Sequence, residues 1–407
     1  MVINLPVVSS FMVKISSDNP NIEKRITQMC ASLEKNGSYI DPDVEIHDVN
    51  GQTSVLSGAE GSSKYIFKSP HALLVPYDNF DFDIEGQDIV IAHDDRNTSK
   101  EHLEILDSMI ALYNESGKFK DHIKEHPLLR FQETPELAHH LLGGREGKDI
   151  DIVHNISGDP DFFDELALLT FFKSRLLRCC LHKREAEPKT VLIPVVEFLN
   201  HHAAGAGFDN LYHEQGSYMA TRGVMPVPES RECFTNYGRL DSLDTYLHYG
   251  FVDQGVKYVR SIPTEIDLGD IGSISIGAFN AVVPLNDVPE HLSDLAYYFP
   301  KMQIDHTDKK AELSHIFIPQ ENAPLSMRRI LEYVIQLLEP KIDPQTCLKC
   351  IEDSENHILK YNIEYYNKLK LLAENKTDNS TTDRNAVLLS EVQKTRIIKY
   401  KEILNGL

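Results

Sequence analysis

The chain is expected to be an α+β protein, with a strand-rich part near its start and a helical part at its end. Residues from about 38 to 78 run in short alternating stretches broken by turns, whereas beyond about 270 apolar residues recur at helical spacing. With 407 residues, 41 % of them hydrophobic, the chain can bury more than one core, which predicts two or three domains.

Taken in order, residues 1–35 form an N-terminal segment of short apolar runs interrupted by Ser and Lys, with neither a basic leader nor a cleavage site. The runs VEIHDV and TSVL flank Asn50-Gly51, a hairpin signal, and KYIFKS and ALLVPY continue the β region. From about 82 to 160 the chain turns acidic and helical. Leu103, Leu106 and Ile110 share one face there, with Ile105, Met109 and Leu112 on the adjoining one, so the stretch reads as a helical insertion.

A further helix is expected over 162–181, capped by Asp159 or Asp161 and carrying Phe162, Phe163, Leu166, Leu169, Phe172, Leu176 and Leu177 on a broad apolar surface. VLIPVVEFL reads as a buried strand that runs into Asn200-His201-His202 and the small-residue stretch AAGAG. Polar side chains at the end of a buried strand are candidate site residues. SYMATRGVMPV and CFTNYG read as two more strands. The last three segments, SMRRILEYVIQLLEP, CLKCIEDSENHILKYNIEYYNKLKLLAEN and AVLLSEVQKTRIIKYKEILNGL, read as helices of a separate all-α domain.

Charge and cysteine content exclude several function classes. The balance of 41 Lys+Arg against 62 Asp+Glu leaves −21, which repels phosphate backbones and anionic membranes and favours a basic partner. Nothing spans the ~20 apolar residues that a membrane helix needs. Six scattered cysteines suit a reducing compartment, the cytoplasm or the nucleus. Cys347 and Cys350 form a lone CxxC without the two further ligands that zinc would require, and His139-His140 lacks a Glu-x-x-His context, so no metal is expected.

VLIPVVEFLNH followed by CFTNYGRLDSLDTYLHYGF resembles the paired core motifs of SET-domain protein methyltransferases, in the branch typified by the Rubisco large-subunit methyltransferase. LALLTFFKSR is similar to that family's Ser-Arg helix, and HILKYNIEYYN and VQKTRIIKYKEIL to its helical substrate-binding domain. The resemblance implies a SET β-fold over 36–270, interrupted by the 82–160 insertion, and a substrate-binding domain over 271–407. It also implies a knot-like crossing in which the Asn-His strand end meets the Tyr-bearing segment. The implied cofactor is S-adenosylmethionine. Asn200 and His201 would hold its adenine and amino groups, Arg175 its carboxylate, Phe251 would pack near the adenine, and the backbone at Gly51 would approach its methionine part. Tyr237 would be the catalytic tyrosine and Tyr249 would line the channel for the substrate side chain. The implied reaction is N-methylation of a protein side chain, lysine first and histidine beside it, on a substrate with a basic segment.

The family's opening Gly-x-Gly turn appears here as Gly51-Gln52-Thr53, and its usual Asn-Pro turn after Phe251 is missing. A branched side chain at Thr53 crowds a place where close main-chain approach or a positive φ is expected. It supports the alternative of a SET-fold protein-binding module without turnover.

Overall fold

The computed structural model describes residues 13–58, 64–94, 98–130, 133–146, 159–181, 188–213, 216–277, 288–319, 324–374 and 380–406. The first twelve residues, the AEGSS stretch, the end of the expected insertion (147–158) and most of KREAEP lie outside them. Among the described residues the helices are α1 (Pro20–Lys35), α2 (Lys100–Glu115), α3 (Lys118–Glu125), α4 (Pro135–Leu142), α5 (Phe163–Lys173), α6 (Ser242–Tyr249), α7 (Ser326–Leu338), α8 (Pro344–Glu374) and α9 (Thr381–Asn405). The chain divides into two compact units, residues 1–124 with 167–238 and residues 125–166 with 239–407.

The first unit is a set of small sheets. Strands β1 (Lys14–Ser17), β3 (Val44–Val49) and β4 (Gln52–Ser57) form one, ordered β1-β3-β4. Asn50 and Gly51, with φ of 52° and 77°, make the two-residue left-handed turn between β3 and β4 that Asn-Gly favours. Strands β2 (Tyr39–Ile40), β5 (Tyr65–Pro70), β12 (Phe208–His213) and β13 (Gly216–Arg222) form a second sheet, ordered β12-β13-β5-β2. In a third, β10 (Lys189–Leu192) lies between β6 (Val75–Pro76) and β9 (Leu176–Cys179). Two helices cover this part of the chain. Asn19 caps α1, and Ile22, Ile26, Met29, Cys30 and Leu33 are its buried stripe. Ile105, Leu106, Met109, Ile110, Leu112 and Tyr113 are buried on α2.

Three expectations for this stretch of chain are corrected. The insertion begins with a hairpin, β7 (Phe80–Glu85) and β8 (Asp88–Asp94), because FDFDIEGQDIVIAHD alternates with period two around a Gly86 turn; helix starts only at Lys100. The helix expected over 162–181 stops at Lys173. There Ser174 Oγ and Arg175 Nη1 both donate to the Phe171 carbonyl, at 2.8 and 2.9 Å, and Leu176–Cys179 leaves to pair with β10. The single strand expected over VLIPVVEFL is split. Pro194 cannot donate to a ladder, Val195 takes a φ of 69°, and the short 3₁₀ turn Val196–Phe198 leads into β11 (Asn200–Ala206).

β11 pairs in parallel with β14 (Phe234–Thr235), Asn200 opposite Phe234 and His201 opposite Thr235. The β14 segment is also tied to β4: Cys233 N donates to Val55 O at 2.7 Å and Ser57 N to Arg231 O at 2.9 Å. Gly205 permits this packing, since a Cβ on it would stand 2.7 Å from the Thr235 carbonyl carbon.

The second unit corrects the all-α expectation for residues 271–407. Strands β16 (Thr264–Asp267), β17 (Ser273–Ile276), β18 (Met302–Asp305) and β19 (Lys310–Leu313) form a sheet ordered β16-β17-β19-β18, and β15 (Tyr258–Arg260) pairs with β20 (Phe317–Pro319). Their runs are three or four residues long, too short to register as a period in sequence. The helices α7, α8 and α9 follow the expected spacing, with Met327, Ile330, Leu331, Val334, Ile335 and Leu338 buried along α7.

Candidate functional site

Most of the residues singled out from sequence belong to the first unit, where the β11–β14 pairing gathers them. Tyr237 lies two residues past the end of β14. Its hydroxyl donates to the Leu199 carbonyl at 2.9 Å, its backbone N–H to His201 Nδ1 at 3.2 Å, and the His201 and Tyr237 rings lie 4.9 Å apart. Asn236 locks the same turn by donating from Nδ2 to Ala203 O at 2.7 Å and from its backbone to Ala206 O at 2.6 Å. The Asn200 side-chain amide donates to Glu232 Oε1 at 2.7 Å and to the Thr53 carbonyl at 3.2 Å. The strand end and the tyrosine segment therefore meet, beside β4.

Arg175 stands where α5 ends. Its guanidinium lies 3.6 Å from the Phe171 ring centroid and 5.4 Å from that of Tyr113, and Nη1 is held by Phe171 O and Ser174 Oγ. Among the described residues nothing accepts from its Nε or Nη2. Burial lowers its pKa, while the phenols of Tyr113 and Tyr237 and the Glu197 carboxylate act in the opposite sense.

Two charged residues that the sequence reading passed over complete this cluster. Glu197, on the 3₁₀ turn before β11, accepts from the Tyr113 hydroxyl through Oε2, while its Oε1 is buried and accepts no hydrogen bond from a described residue. Burial raises its pKa, against the pull of Lys118, Tyr113 and Arg175. Lys118 opens α3 and sends Nζ to Thr53 Oγ1 at 2.8 Å, 5.7 Å from the Phe198 ring centroid. Burial pulls its ammonium down to about 8. Burial is the largest cause of all three shifts, although each side chain stays half-buried, and the charges of the three act on one another. Glu197 carried a signal, lying three residues before Asn200 in the same motif. Lys118 carried none beyond following a Ser-Gly turn.

Gly51 and Thr53 are explained by the chain itself. A Cβ on Gly51 would meet the Ser116 carbonyl oxygen at 2.2 Å, so the close approach is made by the corner between α2 and α3. Thr53 lies in β4 with a negative φ, and its hydroxyl faces Lys118. The strain expected from a non-glycine residue there does not arise.

Tyr249 and Phe251 belong to the second unit. Tyr249 ends α6, Gly250 follows in the left-handed conformation at φ 78°, and the Tyr249 and Phe251 rings lie 6.0 Å apart. Burial pushes the Tyr249 hydroxyl up to about 12. The same helix is anchored by a buried network that the sequence did not suggest. Arg145 donates from Nη2 to Asp241 Oδ1 and from Nε to Asp244 Oδ1, both at 2.6 Å, and Asp241 Oδ2 accepts from Arg260 N and Gln393 Nε2.

Among the described residues no cluster of His, Cys, Asp or Glu is placed to hold a metal ion, and no helix is long and apolar enough to cross a membrane.

No family model matches the sequence, and no curated protein sequence matches it. Solved structures do match in three dimensions. The crystal structure of the SET domain of LSMT bound to lysine and AdoHcy has a TM-score of 0.43 and 11 % identity, covering 95 % of this chain and 92 % of that one. The structure of Rubisco LSMT bound to AdoMet has a TM-score of 0.43 and 12 % identity, covering 94 % of this chain and 92 % of that one.

Proposed function

We propose that this chain is an S-adenosylmethionine-dependent protein N-methyltransferase of the SET type, with a lysine amine as its acceptor and a basic segment around it. The observation that carries the reading is the parallel pairing of Asn200-His201 with the segment leading to Tyr237, which closes the tyrosine hydroxyl onto the Leu199 carbonyl. That meeting is what the two sequence motifs, taken together, require.

Arg175 and Glu197 fit the amino-acid end of such a cofactor. A zwitterion needs a cation for its carboxylate and an anion for its ammonium. Arg175 has donors to spare, and the buried Glu197 Oε1 is an acceptor that no described residue uses. Asn200 and His201 are assigned to the adenine and amino groups, with Phe251 for the adenine and Tyr249 for the substrate side chain in the same reading. When bound, the cofactor supplies a methyl group on a sulfonium, open to in-line attack. The protein aligns the amine, excludes water and receives the nucleophile uncharged. With its proton committed to Leu199, the Tyr237 oxygen is an acceptor that can orient an amine N–H. The amine proton leaves to solvent, since no carboxylate or imidazole is assigned as base, and the rate rises with pH.

Calorimetry with the cofactor, followed by labelled-methyl transfer to basic proteins, tests the assignment. Tyr237→Phe is expected to bind cofactor within about threefold of the native chain and to transfer methyl about a hundredfold more slowly. Unchanged transfer in that variant would remove Tyr237 from the chemistry. A binding module without turnover is the second reading, raised by Thr53 standing where the motif is expected to carry glycine; no binding at millimolar cofactor would select it.

A further inference from the structure

Lys118 is hard to explain as a structural residue. Desolvating an ammonium is costly unless a carboxylate or several acceptors take its protons. Here Thr53 Oγ1 is the one acceptor it has among the described residues. The carboxylates whose charge bears on it are committed elsewhere: Glu197 through Oε2 to the Tyr113 hydroxyl, and Asp48 through Oδ1 to Ser17 Oγ at 2.9 Å. Among the described residues nothing donates to the buried Glu197 Oε1 or Asp48 Oδ2. Among the described residues Lys118, Arg175 and Glu197 thus keep hydrogen-bonding capacity left over, two N–H donors on Lys118, three on Arg175 and one acceptor oxygen on Glu197. Charged groups whose burial is this costly are the ones a bound zwitterion would complete.

We propose that Lys118 is a cofactor-binding residue, a second cation that joins Arg175 on the carboxylate of an amino-acid-bearing nucleoside, with Thr53 as the residue that holds its ammonium in position. The inference rests on the methyltransferase reading and deepens it. A glycine at position 53 would leave the lysine without an anchor, so Thr53 belongs to the binding arrangement as a partner of Lys118 and is not an obstruction. The direction of its pKa agrees: burial disfavours the ammonium, and an anionic group brought beside it would favour the charged form.

The test compares two ligands. S-adenosylhomocysteine carries the amino-acid end, and methylthioadenosine carries the nucleoside and sulfur without it. By calorimetry at neutral pH, Lys118→Met is expected to weaken S-adenosylhomocysteine about ten- to hundredfold, the usual worth of a charge-assisted hydrogen bond, and to leave methylthioadenosine unchanged. Lys118→Arg is expected to recover most of the loss. Methylthioadenosine binding also reports that the variant still folds around the nucleoside. Equal loss for both ligands, or no loss for either, would overturn the proposal while native binding upholds the methyltransferase reading. Tighter binding in Lys118→Met would overturn it in the opposite direction and make the lysine a plug. If the native chain binds neither ligand at millimolar concentration, the reading itself fails and the proposal with it.

Discussion

Gly51 and Thr53 stand two residues apart on one hairpin and meet different demands. Gly51 is needed because the turn requires a φ of 77° and because the Ser116 carbonyl lies where a methyl group would go. Gly51→Ala is therefore expected to cost about 2 kcal/mol or more, through left-handed strain and displacement of the α2–α3 corner. A shift in the urea midpoint of that size checks it; a cost within about 0.5 kcal/mol would show that the corner yields freely. Displacement of that corner also moves Lys118, two residues beyond Ser116. Thr53, by contrast, needs no special backbone, and what it contributes is a hydroxyl.

The elements differ in how well they could be read beforehand. Helices α2 and α7 were readable because their apolar spacing is long; on α2 five of the six expected face residues are buried, Leu103 being the exception, and Tyr113 joins them. Asn50-Gly51 marked its hairpin for a chemical reason, the tolerance of both residues for positive φ. The strands of the second unit were not readable, being short and paired to partners distant in sequence. Helix α5 was overextended because Leu176 and Leu177 continue the apolar stripe, and only the back-bonding of Ser174 and Arg175 shows where it ends. Tyr237, Arg175, Asn200 and His201 could be picked out from their motifs, whereas Lys118 could not, since its neighbours in space are supplied by other segments of the chain.

Helix α6 begins on a capping box of Asp241 and Asp244, and both carboxylates are held by Arg145. Arg145 and Arg260 keep Asp244 well below the usual carboxylate range despite its burial. A carboxyl depressed in the folded state adds stability that is present above its unfolded pKa of about 4 and is lost as pH falls through the folded value. Arg145→Met leaves two buried carboxylates without their cation, and is expected to destabilise by about 3–5 kcal/mol at neutral pH. It should also flatten the acid side of the stability profile. Denaturant titrations at pH 7 and pH 2 measure both; a loss at pH 2 as large as at pH 7 would show that the ion pairs are not its source.

At the scale of the whole molecule, a formal charge of −21 favours association with cationic segments at low salt, the partner proposed above. Capture of a basic substrate peptide is expected to weaken about tenfold between 50 and 300 mM salt, because exposed charges are screened over the Debye length. Capture indifferent to salt would assign recognition to contacts other than charge.

Each unit is assembled from two separated stretches, so the polypeptide passes from the first to the second, back, and out again. During translation this has a cost in time. β5 pairs with β13, roughly 150 residues later, and at ~5–20 residues per second a nascent chain waits on the order of ten seconds for that partner. Through that interval one edge of β5 is open to mispairing, which makes the growing chain, more than the finished one, dependent on chaperones in a crowded cell.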